Sequence, residues 1–426
     1  MTGPSVTRLV RREPEPVVRV VEADLCVVGA GAAGMSAALE AAALGARVAL
    51  VDGAAQLGGQ SVGSLVGTFC GLYSNGPAPV QVTHGIADGI IADLTNSGDL
   101  EALSGRRNTR ILRYRANGLV RWYERRAAAA GLKLLLGANI VQVARAGRRI
   151  EHVDLATRYG AYRVAARGFV DASGDAALAF EAGAECRVPD RPVYGTSMFT
   201  LAGVDPASVE LPAVEAALVA RGADWGLRRR DGFAFASAAS GETLVNMTHI
   251  ETPLEALAAA DAMLDGRDQV DRLVGFLKAE FPRAFANARV DVYGLPGIRQ
   301  TRWIAGARQL GVDDVRAGTR FADAVARCSW PIELHDRPDR VTWEVFGDDH
   351  MHYVPFGAQV SPALDNLVAA GRCVDGDVAA LSSIRVMGPC IAMGAAAAHA
   401  LDLAGAGSVH QIDIAALQTR LAANLG

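Results

Sequence analysis

Apolar and polar positions divide the start of the chain into segments of two different periods. Leu25 to Val28 form a short run that is apolar without alternation, the pattern of a strand in a parallel sheet covered on both faces. Ala32 to Leu44 are almost pure alanine and leucine, which predicts a helix, and Gly45 stands where a helix C′ residue belongs. "RVALV" predicts a second buried strand, closed by Asp52. Between the first strand and the helix, Gly29, Gly31 and Gly34 fall in G-x-G-x-x-G spacing, and Asp52 follows Gly34 by 18 residues. In such a unit the first glycine permits the tight turn. The second lets backbone approach a pyrophosphate, and the third brings the helix against the strand. The helix N-terminus adds free N–H groups and partial positive charge, both suited to an anion. Asp52 can accept hydrogen bonds from both ribose hydroxyls and would repel a 2′-phosphate. Strand, glycines, helix, second strand and acid in register indicate a dinucleotide site rather than a bare turn.

Further along, "GIADGIIADL" and "NGLVRWYERRAAAAGL" read as helices, and the sheet resumes at "KLLLGANIVQV". Residues 146 to 168 read as paired strands around Tyr159-Gly160. From about Pro189 the pattern changes to strands beside helices without βα alternation, ending in the long helical stretch that starts at Pro253. That argues for an α+β unit inserted into a discontinuous Rossmann-like α/β domain. The expected division is 1–188 with 356–426 for the dinucleotide domain and 189–355 for a substrate or cap domain. Leu367 to Ala369 predict one more strand, then a Gly371-Arg372 turn and an alanine-rich helix, residues 387 to 404. This second strand-to-helix site suits a long cofactor whose pyrophosphate lies on the first helix and whose ring lies near the last. No second G-x-G-x-x-G occurs in strand context, so a separate nicotinamide domain is not expected.

Composition narrows the partners. The formal net charge of −4 and the lack of long charged runs argue against nucleic acid or a membrane surface. Six scattered cysteines without a C-x-x-C pair suit a reduced cytoplasmic protein. Arg11-Arg12 begin no export signal, because Glu13, Glu15, Arg19, Glu22 and Asp24 occupy the place of an apolar region.

The segments "GAGAAG", "VALVD" and "LGG" are joined by "GFVDASGDAALAFEAGA" at 168–184 and "GIRQTRWIAG" at 297–306. With "HYVPFGAQVSPALDNLVAAGRCVDGD" at 352–377 and "SIRVMGPCIAMGAAAA" at 383–398, the chain resembles bacterial FAD-dependent oxidoreductases of the glutathione-reductase-like fold. These are distantly similar to the succinate dehydrogenase and fumarate reductase flavoproteins. The resemblance implies non-covalent FAD. Gly29, Gly31, Ala33 and Gly34 would lie at the pyrophosphate, Asp52 at the adenosine ribose, and Gly58, Gly59, Gln60 and Ser61 toward the ribityl chain. It places the Val141 backbone at adenine, Ala172, Ser173 and Gly174 over the pyrophosphate, and Asp175 as a helix cap. Gly371, Arg372 and Asp375 would touch the middle of the cofactor, and Arg385, Val386, Met387 and Gly388 its flavin pyrimidine edge.

Candidates for the chemistry are few. His335, with Asp336 to orient it, and His352 fall in segments that the resemblance brings to the flavin, where a histidine could take a proton as a hydride leaves. Both positions equally suit structural histidines. Arg299 and Arg302 match the family's paired arginines, and a guanidinium there could anchor a carboxylate or serve an interdomain ion pair. Covalent flavin attachment through Cys70 or His84 has no motif, and His350-x-His352 lacks further metal ligands. The expectation is a flavin-dependent dehydrogenase or oxidase moving a hydride between flavin N5 and a small polar or carboxylate-bearing substrate. The electron acceptor is unknown and a homo-oligomer is left open. The alternatives are an FAD-containing electron-transfer or regulatory subunit of a larger complex, and a non-redox flavoenzyme.

Overall fold

The computed structural model describes residues 18–104, 108–233 and 241–426, with residues 7–9, 11, 235 and 236 besides. Arg12, Glu13 and Glu15, used above against an export signal, lie outside the described residues.

Strand β1 (Arg19–Val28) leads through the glycine turn into helix α1 (Ala32–Ala43) and strand β2 (Val48–Asp52). Helices α2 (Ile86–Asn96) and α3 (Ala116–Ala129) intervene before β3 (Lys133–Leu136), β4 (Ala138–Ala146), β5 (Arg149–Thr157) and β6 (Gly160–Asp171). A second group follows: β7 (Thr196–Ala202), β8 (Phe235–Ala236), β9 (Thr243–Val245), α4 (Ala256–Glu280) and β10 (Arg289–Gly297). The chain then forms β11 (Ala324–Cys328), β12 (Ile332–Leu334), β13 (Thr342–Glu344) and β14 (His352–Pro355). It closes with β15 (Leu367–Ala369), α5 (Val378–Ile384) and α6 (Met387–Ala404) before a short C-terminal helical tail.

The main sheet runs β3-β2-β1-β6-β5-β4, with β15 as its seventh strand beside β6. Pairings among β1, β2, β3, β6 and β15 are parallel, while β4, β5 and β6 form an antiparallel meander. Leu25 to Val28 are buried, as a strand covered on both faces requires. On one side α1 lies directly against α6. Both are rich in alanine and glycine, and the Ser36 hydroxyl donates to the Ile391 carbonyl between them at 2.8 Å. Helix α6 is long and apolar enough to cross a membrane by length and composition, but 78% of it is buried in the main core. An apolar surface all round is what such a central helix needs.

The second sheet runs β8-β9-β7-β10, with α4 packed on β7 and β10 over its own apolar cluster. That cluster holds Phe199, Val245, Leu273 and Phe285. Its buried members run from Phe199 to Ala288, whereas Trp303, Ile304, Val325, Trp330 and Ile332 belong to the main core. Trp303–Ile304 also pairs with Cys186–Arg187. The packing boundary therefore falls near Gly297, not at the expected 355. Most of residues 303–355 fold back onto the larger unit, while 335–341 also bond to residues 230–249.

Candidate functional site

A cleft of about 560 Å³ runs between the two packing units. That size lies within the roughly 300–1,000 Å³ usual for small-molecule and cofactor sites. One end is built by the β1–α1 turn. Gly29 has φ +101°, and a Cβ there would stand 2.2 Å from the Ala172 carbonyl oxygen, so only glycine fits. At Gly34 a Cβ would lie 1.7 Å from the Gly29 carbonyl oxygen, which is how the helix comes close to the strand. At Gly31 it would meet nothing within 4 Å, because that position opens into the cleft. Helix α1 has no side-chain cap and no acid in its first turn, so its N–H groups and positive end face the cleft uncompensated. Asp52 ties this corner together. Its Oδ2 accepts from Ala30 N at 2.6 Å and its Oδ1 from Ala54 N at 2.7 Å.

Gly59, Gln60 and Ser61 continue the lining, as do Ala172, Ser173 and Gly174 with Ala33, Gly371 and Arg372. The far end is formed by Arg385, Val386 and Met387 at the start of α6, with Cys70, Arg299 and Glu333. The second unit closes the cleft with Thr196, Met198, Ile250 and Met263. Arg372 Nη1 and Arg385 Nε are buried without a hydrogen-bond partner among the described residues. Unmet donors of two buried cations and an open α1 terminus, in a cleft floored by a cradle only glycine fits, suit a ligand with anionic and carbonyl oxygens along its length. FAD has that chemistry.

The chain matches, over residues 24–421, the family model described as FAD dependent oxidoreductase. It belongs to that family. FAD is its cofactor, and the Rossmann-like mixed α/β architecture is the family's. Among solved structures, a geranylgeranyl bacteriochlorophyll reductase-like protein from Thermoplasma acidophilum is 12% identical, with 90% of this chain and 78% of that chain covered and a TM-score of 0.47. The flavin-dependent brominase Bmp2 is 13% identical, with 94% and 83% covered and a TM-score of 0.45. CabE, an aromatic hydroxylase from angucycline biosynthesis, is 12% identical, with 95% and 68% covered and a TM-score of 0.48. Likeness at that level assigns no chemistry to this chain. A search of the curated proteins gives no match.

Several residues expected at the site stand elsewhere. Gly34, Gly58 and Gly388 lie behind the lining, where they serve backbone packing. Gly58 holds φ +102°, and a Cβ on Gly388 would strike the Gly71 carbonyl oxygen at 2.1 Å. Val141 is exposed on β4 outside the lining, although its neighbour Asn139 reaches the Gly53 turn. Asp375 is fully buried away from the cleft. Its carboxylate pairs with Arg187 at 3.1 Å and accepts from Gly306 N at 2.8 Å, which joins distant segments of the main core. Asp175 is not a helix cap; it accepts from the Thr301 hydroxyl, and its carbonyl from Arg302 Nε at 2.9 Å. Arg302 itself stacks over the Phe180 ring and does not reach the cleft, so of the two arginines only Arg299 lines it.

Neither candidate histidine touches the cleft. His352 is 1% exposed and bonded to His350 and Ser383, while His335 is completely buried behind Glu333. Asp336 is exposed and does not orient His335; Glu333 and His249 do. Burial pushes His352 down to about 3 and His249 to about 2. Burial, reinforced by Arg299 and Arg385, holds His335 well below the ordinary histidine value. All three imidazoles therefore resist becoming cations. The residue that the sequence reading missed is Glu333. It lies two positions before His335 in extended chain, on the same side, a spacing that could have drawn attention to it.

Proposed function

We propose that the protein is a flavin-dependent dehydrogenase or oxidase acting on a small carboxylate-bearing substrate. The observation that carries this reading is Arg299. Its Nη1 donates to the Tyr194 carbonyl at 2.9 Å and the Thr196 hydroxyl at 2.7 Å, which fixes the guanidinium in place. Its Nε and Nη2 make no hydrogen bond among the described residues, and the group faces the cleft. Burial, with Arg385 nearby, holds its pKa well below the ordinary arginine value, so the cation lacks an adequate counter-charge. A substrate carboxylate taken in bidentate fashion supplies that charge and the missing acceptors.

In this reading the Gly29–Gly34 turn holds the FAD pyrophosphate with Ser173, Gly174 and Arg372, and Asp52 holds the ribose. Arg385, Val386 and Met387 meet the flavin's pyrimidine edge. Bound FAD supplies a two-electron acceptor at N5. Arg299 orients the substrate against it, and the apolar wall of Met198, Ile250 and Met263 excludes water. Burial pushes the Cys70 thiol up, which keeps it protonated and favours non-covalent FAD. All six cysteines are free, which suits a reducing compartment, and we place the protein in the cytoplasm.

The test is anaerobic titration of the purified yellow protein with carboxylates, amines, amino acids and polyols, followed by admission of air. A carboxylate should bleach the flavin band, and Arg299→Lys should raise the concentration required by roughly ten-fold or more, because an ammonium cannot reproduce the fork. Reduction only by compounds without a carboxylate would overturn the assignment.

A further inference from the structure

The two buried histidine chains differ in how many protons they need. Around His352 the arrangement is complete. The Ser383 hydroxyl donates to the Trp330 carbonyl at 2.6 Å, so its oxygen accepts from His352 Nε2–H at 2.9 Å. His352 Nδ1 then accepts from His350 Nε2–H at 3.2 Å. These three hydrogen bonds use the three protons that a hydroxyl and two neutral imidazoles own, and the His350 ring meets the Val315 backbone besides.

Behind Glu333 the same count comes out one short. The Pro338 carbonyl can only accept, so His249 Nδ1, 3.1 Å away, carries a proton. His249 Nε2 is then an acceptor and takes the His335 Nδ1–H at 2.9 Å. That leaves His335 Nε2 with a lone pair, 3.0 Å from Glu333 Oε1. A carboxylate oxygen there would set acceptor against acceptor. Glu333 Oε2 is already engaged by Trp330 Nε1–H at 3.1 Å. Two neutral imidazoles and a carboxylate bring two protons to three contacts, and a third proton on the Glu333–His335 contact completes the chain.

The geometry points to Glu333 as the acid–base residue of the cleft, with His335 and His249 as positioning residues that keep its proton in place. Glu333 is the member that lines the cleft, facing Arg299 and Arg385, with Cys70 close by and Arg229 and Asp231 further out. In the reducing direction the Glu333 O–H bond breaks and its proton passes to a ligand oxygen or nitrogen, while hydride from reduced FAD forms the adjacent C–H bond. The oxidising direction is the reverse and starts from a Glu333 that has first released this proton through the cleft. The choice of ligand rests on the reading above; the proton count does not.

The experiment uses the full chain labelled with ¹⁵N-histidine, whose long-range ¹H–¹⁵N spectra report ring tautomers at neutral pH, with His249→Gln and His335→Gln for assignment. Nδ1–H tautomers at both His249 and His335 are expected. Nε2–H tautomers at both would mean a two-proton chain ending on an ionised Glu333 and would overturn the proposal. Glu333→Gln tests the same point by function, because its amide N–H still donates to His335 Nε2 and preserves the fold. It should keep its flavin, yet flavin reduction by the substrate should slow about 100-fold or more, while Asp336→Asn stays at the wild-type rate. Unchanged reduction in Glu333→Gln would overturn the role. If no compound reduces the flavin, the substrate reading falls and the tautomer spectra still decide the proton count.

Discussion

Asp52 shows how one residue can serve both the fold and the cofactor. Its two oxygens hold the backbone at Ala30 and Ala54, while the residue still borders the cleft. Asp52→Ala removes one hydrogen bond to the glycine turn, at Ala30, and one to Ala54, as well as the ribose acceptor. The two hydrogen bonds from the ribose hydroxyls, at about 1 kcal/mol each, amount to about 2 kcal/mol, a roughly thirty-fold rise in the FAD dissociation constant. Fluorescence titration of apoprotein should show that rise for Asp52→Ala and little change for His352→Gln, whose ring lies outside the cleft. Equal affinities would displace the ribose from Asp52. This corner could be read from sequence because the glycines, helix and acid act within 30 residues of one another. Spacing from His335 could have marked Glu333, but not its role, because that depends on His249, 84 positions away, and on Arg299 in the same cleft.

At the scale of elements, two glycines on adjoining helices separate folding from binding. Gly394 in α6 sits where a Cβ would lie 2.1 Å from the Ala33 carbonyl oxygen of α1. Gly394→Ala must push the helices apart, and overpacking of that kind costs about 1–3 kcal/mol. Gly31 has extended backbone that alanine adopts freely, and its missing Cβ faces open cleft. Gly31→Ala should therefore leave the denaturation midpoint of the apoprotein in place while weakening FAD binding strongly. Gly394→Ala should lower both. Loss of apoprotein stability in Gly31→Ala would show that the turn is strained without ligand. The α1 unit was legible because its signal is local periodicity. The boundary near Gly297 was not, because residues 303–355 are assigned by distant packing. Their tie to the main core is made by Trp303–Ile304 against Cys186–Arg187, a pairing that no period in the sequence announces.

Over the whole molecule the buried histidines set a limit on acid stability. A histidine held at about 3 in the folded state and near 6.5 when unfolded contributes stability that is complete above pH 6.5. Below that the unfolded chain binds a proton that the folded chain refuses, so stability falls with pH by about 1.4 kcal/mol per unit. His352 and His249 act with the same sign, which together makes about 2.7 kcal/mol per unit, while His335 is left out because it shares a proton with Glu333. By pH 5 the pair removes about 4 kcal/mol, a large part of the roughly 5–15 kcal/mol that holds a typical protein folded. Thermal midpoints recorded from pH 7.5 downward should therefore begin to drop below pH 6.5, well before the carboxylates titrate. His352→Gln isolates one contribution, because its amide can donate to Ser383 and accept from His350 as the ring does. The variant should lose about half of the slope in that interval. Parallel curves for variant and wild type would mean that folded His352 takes up its proton as readily as the unfolded chain. The three-proton chain through Ser383 could not then be closed as the geometry requires.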